Sequence, residues 1–295
     1  MIIPFQGEIA PFGAGIACTI EGGISEEHTR QETGAAWTYN YTPYGYIKML
    51  RARDYGTQAW ADVRNAIEEY QPILPVFLSE PENENEEGDG FPAEDAARIF
   101  DEWSEQTRLA WPRNRKQFEP YEFAYTPWVG FGCLLNLESG FRWEKAYQAA
   151  GGREPPIHAG HYYCFSPADV EMGFSLYDGH LSGMGWHNPL IFSEIGIMPD
   201  SEHWKSTPKI RASILRAVFK MLRDRPRCAG FAWFSNRYPA ESGRWAQNDL
   251  FLANGQLSAL GEVYAQESGK TQITTTTDIY LPIAARMERK GMQDA

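Results

Sequence analysis

Eight short apolar runs, most of them separated by stretches with helical spacing, constrain this chain more than any other feature. They fall at residues 12–18, 35–41, 46–51, 73–78, 122–128, 157–165, 190–198 and 228–234. Branched and aromatic residues dominate them, and Gly, Pro or charged clusters close them, as expected of strands buried on both faces. Helical spacing fills the intervals at 25–33, 59–70, 92–107, 141–150, 208–223 and, after the last run, 257–266. Trp60, Val63, Ile67 and Tyr70 recur at steps of three and four, and Ala96, Ile99, Phe100 and Trp103 share one face behind Pro92. A proline suits a first helical turn, and such stripes bury against a sheet. Parallel strands need crossover helices, so the alternation predicts an α/β fold, a (β/α)₈ TIM barrel. Only Thr42-Pro43-Tyr44-Gly45 separates the second and third runs, too little for a helix, so the barrel is expected to be somewhat irregular there. Residues 1–268 read as one such domain. Residues 269–295 read as a linker and an apolar C-terminal tail.

The chain has 295 residues, 43% of them hydrophobic, enough for a core of that size. Ten Trp, fifteen Tyr and sixteen Phe form either core or stacking platforms for flat ligands such as sugar rings. A formal net charge of −12 argues against nucleic acid or an anionic membrane as main partner, and fits neutral ligands. No run reaches the length of a membrane span. Met1–Pro11 lacks a basic stretch followed by an apolar core, so no signal peptide is visible, and an extracellular mature chain would read the same. Cys18, Cys133, Cys164 and Cys228 show no C-x-x-C spacing and read mostly as buried thiols. Zinc-protease, phosphate-loop and esterase motifs are missing, so no metal or cofactor is expected. The acidic loop with Glu82, Glu84, Glu86, Glu87 and Asp89 lacks the glycine placement of a calcium loop and reads as a solvated charge run.

One carboxylate interrupts the seventh run, Leu190-Ile191-Phe192-Ser193-Glu194-Ile195-Gly196-Ile197-Met198. A charge inside a buried strand is unfavourable unless it is paired, hydrogen-bonded or placed at an open end. Taken alone, Glu194 is equally a structural or a functional carboxylate. Strand counting adds a second, because Glu80 follows the fourth run in Ser79-Glu80-Pro81. Barrel chemistry is done at the carboxyl ends of the strands, so both side chains are expected at one mouth. Two carboxylates there are what cleavage of a glycosidic bond requires: one protonates the leaving oxygen, the other attacks or stabilises the cationic centre.

Several short pieces then fall in a known order: Phe12-Gly13-Ala14-Gly15-Ile16-Ala17, Trp37-Thr38-Tyr39-Asn40-Tyr41, Ser79-Glu80-Pro81, His161-Tyr162-Tyr163, Ser193-Glu194-Ile195-Gly196 and Phe231-Ala232-Trp233-Phe234. In them the chain resembles the clan A glycoside hydrolases, retaining (β/α)₈ enzymes, and among those the short Asl1-like and family-39-like catalytic domains. The resemblance implies a hydrolase acting on O-glycosidic bonds of a poly- or oligosaccharide, with Glu80 as general acid/base and Glu194 as nucleophile. The family pattern has Asn where this chain has Ser79, which replaces an amide contact to the sugar 2-hydroxyl by a single hydroxyl. That departure, with the shortened second unit, favours an alternative: a non-catalytic carbohydrate-binding or structural protein on the same barrel.

Other candidates follow from their places on the strands. His161 and Tyr163 on strand six line the mouth, and the resemblance implies a hydrogen bond from Tyr163 to the nucleophile. Trp233 on strand eight is expected to floor a sugar subsite by stacking. Tyr39 and Asn40 end strand two, one reaching the ligand and the other packing. Trp128, Trp186 and His187 are placed in long loops after strands five and six, where subsites are built. Arg51 and Arg53 pair with a site carboxylate or lie at the surface.

Overall fold

The first strand lies beside the last. The computed structural model describes residues 13–19, 22–39, 48–49, 75–76, 78, 81–82, 90–100, 129–130, 137–155, 158–201, 204–239, 243 and 245–270. Within them the strands are β1 (Gly13–Ala17), β2 (Trp37–Tyr39), β3 (Lys48–Met49), β4 (Pro75–Val76), β5 (Val129–Gly130), β6 (His158–Cys164), β7 (Leu190–Ile197) and β8 (Cys228–Phe234). Six of them form one sheet in the order β2-β1-β8-β7-β6-β5, and β3 pairs with β4. Every ladder is parallel. Gly13 stands opposite Gly230 and Ala17 opposite Phe234, so the sheet closes from its last strand onto its first. That closure, with helices between the strands, is the (β/α)₈ barrel.

The helices are α1 (Glu26–Thr33), α2 (residues 93–100), α3 (Leu137–Ala149), α4 (Pro167–Gly183), α5 (Pro208–Asp224) and α6 (Ala259–Lys270). Their ends follow from local chemistry. Ser25 caps α1 by accepting the His28 N–H at 3.1 Å, and Gly34 ends it at φ 67°, a left-handed conformation glycine adopts without steric penalty. Thr207 accepts from Ile210 ahead of Pro208 at the start of α5. The buried stripe of α5 is Ile214, Leu215, Val218, Phe219, Met221 and Leu222. Burying side chains of this size contributes about 1.5–3 kcal/mol each.

One interval reading changes. A helix, α4, fills residues 167–183, where a loop was expected after strand six. Its outward face carries exposed Met172 and Leu176, so apolar residues ring the helix and the 3.6-residue period is blurred. Its Gly173 punctuates the sequence like a loop residue but serves packing: a Cβ there would lie 2.6 Å from the Tyr162 ring. The fifth ladder lies at Val129–Gly130, opposite His158 and Ala159; the expected stretch 122–128 lies outside the described residues. So do 40–47, 59–70 and the tail beyond 270.

Side chains divide into layers by strand alternation. Ile16, Tyr162, Cys164, Phe192, Ile195, Phe231 and Trp233 pack outward against α4, α5 and α6. A separate cluster of Ala17, Trp37, Ala159, Ile191, Ala232 and Phe234 contains no helix residue and fills the ring itself. The Trp37 indole donates to the Gly13 carbonyl at 3.2 Å and lies across Gly15, where any Cβ would overlap the ring. Cys18, Cys164 and Cys228 are buried free thiols, and burial raises all three, Cys228 to about 12. Cys133 lies outside the described residues.

Candidate active site

Strands β6 and β7 build the centre of the site. On β6 the alternation is regular: Ala159 and Tyr163 join the inner layer while Tyr162 and Cys164 join the outer core. On β7 it slips. Leu190 and Phe192 face the helices, and so do Ile195 and Ile197, one residue out of phase. Against β6, Phe192 stands opposite Gly160 and Glu194 opposite His161, which leaves Ser193 as an extra residue. This is a β-bulge, the device that re-aims a side chain beside many active sites. Unbroken alternation from Phe192 would send Glu194 under the helices; the bulge brings it to the inner side, against Tyr163.

Glu194 is 7% exposed, so its charge needs partners. The Tyr163 hydroxyl donates to Glu194 Oε2 at 2.6 Å, the short distance of a charge-assisted bond. His161 Nε2 lies 3.7 Å from Glu194 Oε1. Two residues on, Gly196 keeps the strand open: a Cβ there would come within 2.9 Å of Asn248 Oδ1 and of the Phe234 carbonyl oxygen. A carboxylate held this way has one oxygen hydrogen-bonded and its orientation fixed beside the imidazole.

The segment after β8 supplies an aromatic wall that the sequence reading did not single out. The Trp245 and Tyr163 ring centroids lie 4.6 Å apart. Phe234 packs 5.9 Å from Tyr163, 5.5 Å from Trp245 and 5.7 Å from Tyr238. Two buried asparagines hold this wall in place. Asn248 accepts from the Ile197 N–H at 2.6 Å and donates to the Ile197 carbonyl at 2.9 Å, fastening the turn at 245–248 to the end of β7. Asn236 accepts from the Thr19 N–H at 2.9 Å and donates to the Ile24 carbonyl at 3.1 Å, tying the exit of β8 to that of β1. The only sequence signal for Trp245 was an aromatic residue in the segment following the eighth strand.

Of the residues singled out in the sequence, the structure brings Glu194, His161 and Tyr163 together. Trp233 is placed differently. Alternation on β8 turns Ala232 and Phe234 inward and Trp233 outward, where it is fully buried with its Nε1 donating to the Asn248 carbonyl at 3.0 Å. Trp186 and His187 also move. Because α4 occupies 167–183, they lie on the return from helix to β7, at the amino ends of the strands. There Trp186 is buried, stacked 5.3 Å from His158, and the His187 N–H binds Glu154. Tyr39 pairs with Ala17 in the β1–β2 ladder. Asn40, Arg51, Arg53, Ser79, Glu80 and Trp128 lie outside the described residues. Among the described residues, no three His, Cys, Asp or Glu side chains gather as a metal site would need, and no helix is long and apolar enough to cross a membrane.

Behind the turn at 245–248 lies a cavity of about 680 Å³ between the amino ends of α5 and α6, lined by Arg211, Arg237, Tyr238, Gln247 and Asp249 among others. Loss of solvation raises the Asp249 carboxyl to about 6, against the Tyr238 N–H bond and the Arg237 charge, which lower it. The folded protein therefore holds this proton more tightly than the unfolded chain. Stability from the group is fully present below about 4 and falls as pH rises through about 6. Asp249→Asn keeps an acceptor for Tyr238, so it is expected to raise the melting temperature at pH 7.5 and leave it unchanged at pH values below about 4. Thermal denaturation across that range checks it; an equal gain at both ends would contradict it.

No family model matches the chain, and no curated protein does. Solved structures with the same fold do. An endo-β-1,3-glucanase of GH128 subgroup IV from Lentinula edodes superposes with a TM-score of 0.64 at 14% identity, covering 86% of this chain and 99% of its own. A subgroup VII oligosaccharide-binding protein from Cryptococcus neoformans gives 0.61 at 15% identity, covering 92% and 99%. A subgroup I endo-β-1,3-glucanase from Amycolatopsis mediterranei, solved with laminaritriose, gives 0.60 at 16%, covering 87% and 99%. A variant of it was solved with laminarihexaose. These neighbours are glycoside hydrolase barrels, and at such identities they speak to the fold.

Proposed function

We propose that this chain is a glycoside hydrolase that cuts β-1,3-linked glucan within the chain by a retaining mechanism. Glu194 is the nucleophile in this reading, and Glu80 is the general acid/base. The observation that carries it is the Glu194 carboxylate, turned inward by the bulge and held by the Tyr163 hydroxyl at 2.6 Å. Attack by Glu194 on the anomeric carbon forms a covalent glycosyl ester while Glu80 protonates the leaving oxygen. Water, deprotonated by Glu80, then releases the sugar with its configuration kept. Tyr163 orients the attacking carboxylate through its bond to Oε2. Tyr238 and Trp245, partly exposed over the buried Phe234, offer apolar ring faces against which a pyranose packs. The substrate class is taken from what the neighbouring enzymes cut, and an uncharged polymer suits a chain of net charge −12.

The second reading, sugar binding without turnover, is favoured by Ser79 in place of the family asparagine and by the oligosaccharide-binding neighbour. One experiment separates the two. Wild type and Glu80→Ala are assayed side by side for reducing ends released from β-1,3-glucan, β-1,4-glucan and aryl glycosides. Release from β-1,3-glucan by wild type, lost in Glu80→Ala, is the expected result. Saturable binding of the same glucan with no release in either protein establishes the second reading.

A further inference from the structure

We infer that Phe165 and Trp204 form a distal subsite that holds the glucan chain beyond the cleavage point, a proposal that rests on the glucan reading above. Both lie at the carboxyl end of the barrel, Phe165 directly after β6 and Trp204 between β7 and α5. Their rings meet edge to face with centroids 5.1 Å apart. Trp204 is partly buried against the outer core, whereas Phe165 is 46% exposed. His161 on β6 stands opposite Glu194, and Phe165 follows His161 by four residues, one past the end of the strand. At about 3.3 Å per residue, the Phe165 backbone lies roughly 13 Å along the strand from that of Glu194. That separation is within the reach of an extended oligosaccharide and beyond that of a single ring.

The pair is also held in place. The Asp169 carboxylate accepts the N–H groups of both Phe165 and Ser166 at 2.8 Å, fixing the entry to α4. On the other side, Trp204 and Ser201 exchange hydrogen bonds at 2.7 and 3.1 Å. Asp200 accepts from the Ser206 N–H and hydroxyl, and Arg211 donates to Ser206. These bonds cap α4 and brace the entry to α5, and by holding the pair in place they also lower the entropy lost when a ligand stacks on it. The occupant we assign is a neutral polysaccharide because the pair lies at the carboxyl end of the barrel, the end that carries the Tyr163–Glu194 pair and the Trp245 turn, and Phe165 presents an uncharged ring to solvent.

The test is calorimetric titration of the full chain carrying Glu194→Gln, to stop turnover, with laminaritriose and laminarihexaose. Adding Phe165→Ala is expected to weaken the hexaose about tenfold and leave the triose within about twofold, the contact being reached only by the longer ligand. Adding Phe165→Trp is expected to restore hexaose affinity, and neither change should move the melting temperature. Equal losses for both ligands, or none for the hexaose, would overturn the subsite while leaving the glucan reading standing. Binding of neither ligand before Phe165 is changed would overturn the glucan reading, and the subsite with it. Sedimentation showing a Phe165-dependent dimer, with hexaose affinity unmoved, would give the face to a second copy instead.

Discussion

Glu194→Gln is expected to abolish glucan hydrolysis while leaving the protein folded and at least as stable as wild type. The amide keeps the shape of the carboxylate and an oxygen to accept from Tyr163, so the 2.6 Å contact survives. It removes the charge, and a neutral amide does not attack an anomeric carbon. A loss of at least about a thousandfold in kcat, over 4 kcal/mol of transition-state stabilisation, is the expected size. Because Glu194 is nearly buried, removing its charge also removes a desolvation penalty, so the melting temperature should hold or rise. Release of reducing ends beside thermal denaturation measures both. Turnover within tenfold of wild type would remove Glu194 from the nucleophile's role. Glu194→Ala extends the test to stereochemistry: with an aryl glycoside and azide, a retaining site yields a glycosyl azide of inverted configuration. Proton NMR on wild type reads the outcome directly: the anomer first released from β-1,3-glucan is β if configuration is kept and α if it is inverted.

The barrel was legible in the sequence because its strands announce themselves twice, as apolar runs and as intervals of the right length. The runs around Gly13–Ala17, Trp37–Tyr39, His158–Cys164, Leu190–Ile197 and Cys228–Phe234 became strands close to their expected bounds. What sequence periodicity could not carry is phase. A period of two decides which side chains share a face only while the strand is unbroken, and β7 breaks at Ser193. Glu194 was therefore found by its charge and its place in the strand order. The same weakness misplaced Trp233, whose outward phase is set by the register of β8 against β1, Ala232 opposite Gly15 and Trp233 opposite Ile16. Helix α4 was hidden for a different reason. Met172 and Leu176 lie exposed on its outer side and Gly173 admits Tyr162, so neither its polarity nor its composition matched a surface helix. Missing it moved Trp186 to the wrong end of the barrel, since loop assignments inherit every error in the element count. The aromatic wall depends on contacts across long separations, such as Asn248 on Ile197, which no local pattern encodes.

Two tryptophans twelve positions apart in sequence should fail in opposite ways when replaced. Trp233 is fully enclosed among Ile16, Ile195, Phe231 and the helices behind them, so Trp233→Ala leaves a cavity and is expected to cost about 3–5 kcal/mol, on the order of 10 °C in melting temperature. Laminaritriose affinity, measured well below the melting point, should stay within about twofold, because the indole touches no face of the ring interior. Trp245 is the reverse case. Its ring leans on Tyr163 and Phe234 at the mouth and remains partly exposed. Trp245→Ala is expected to weaken laminaritriose about tenfold with a small change in melting temperature, since the turn that carries it is held by Asn248 rather than by the indole. Trp233→Phe refines the contrast. It fills most of the space but removes the donor to the Asn248 carbonyl, leaving a buried acceptor unmet for about 1–3 kcal/mol. Because the same asparagine fastens the Trp245 turn through its side chain, which Trp233→Phe leaves intact, stability should fall while triose affinity holds. A triose loss in Trp233→Phe as large as in Trp245→Ala would mean that the strand-eight tryptophan reaches the sugar after all, and the phase assigned to β8 would have to be reversed.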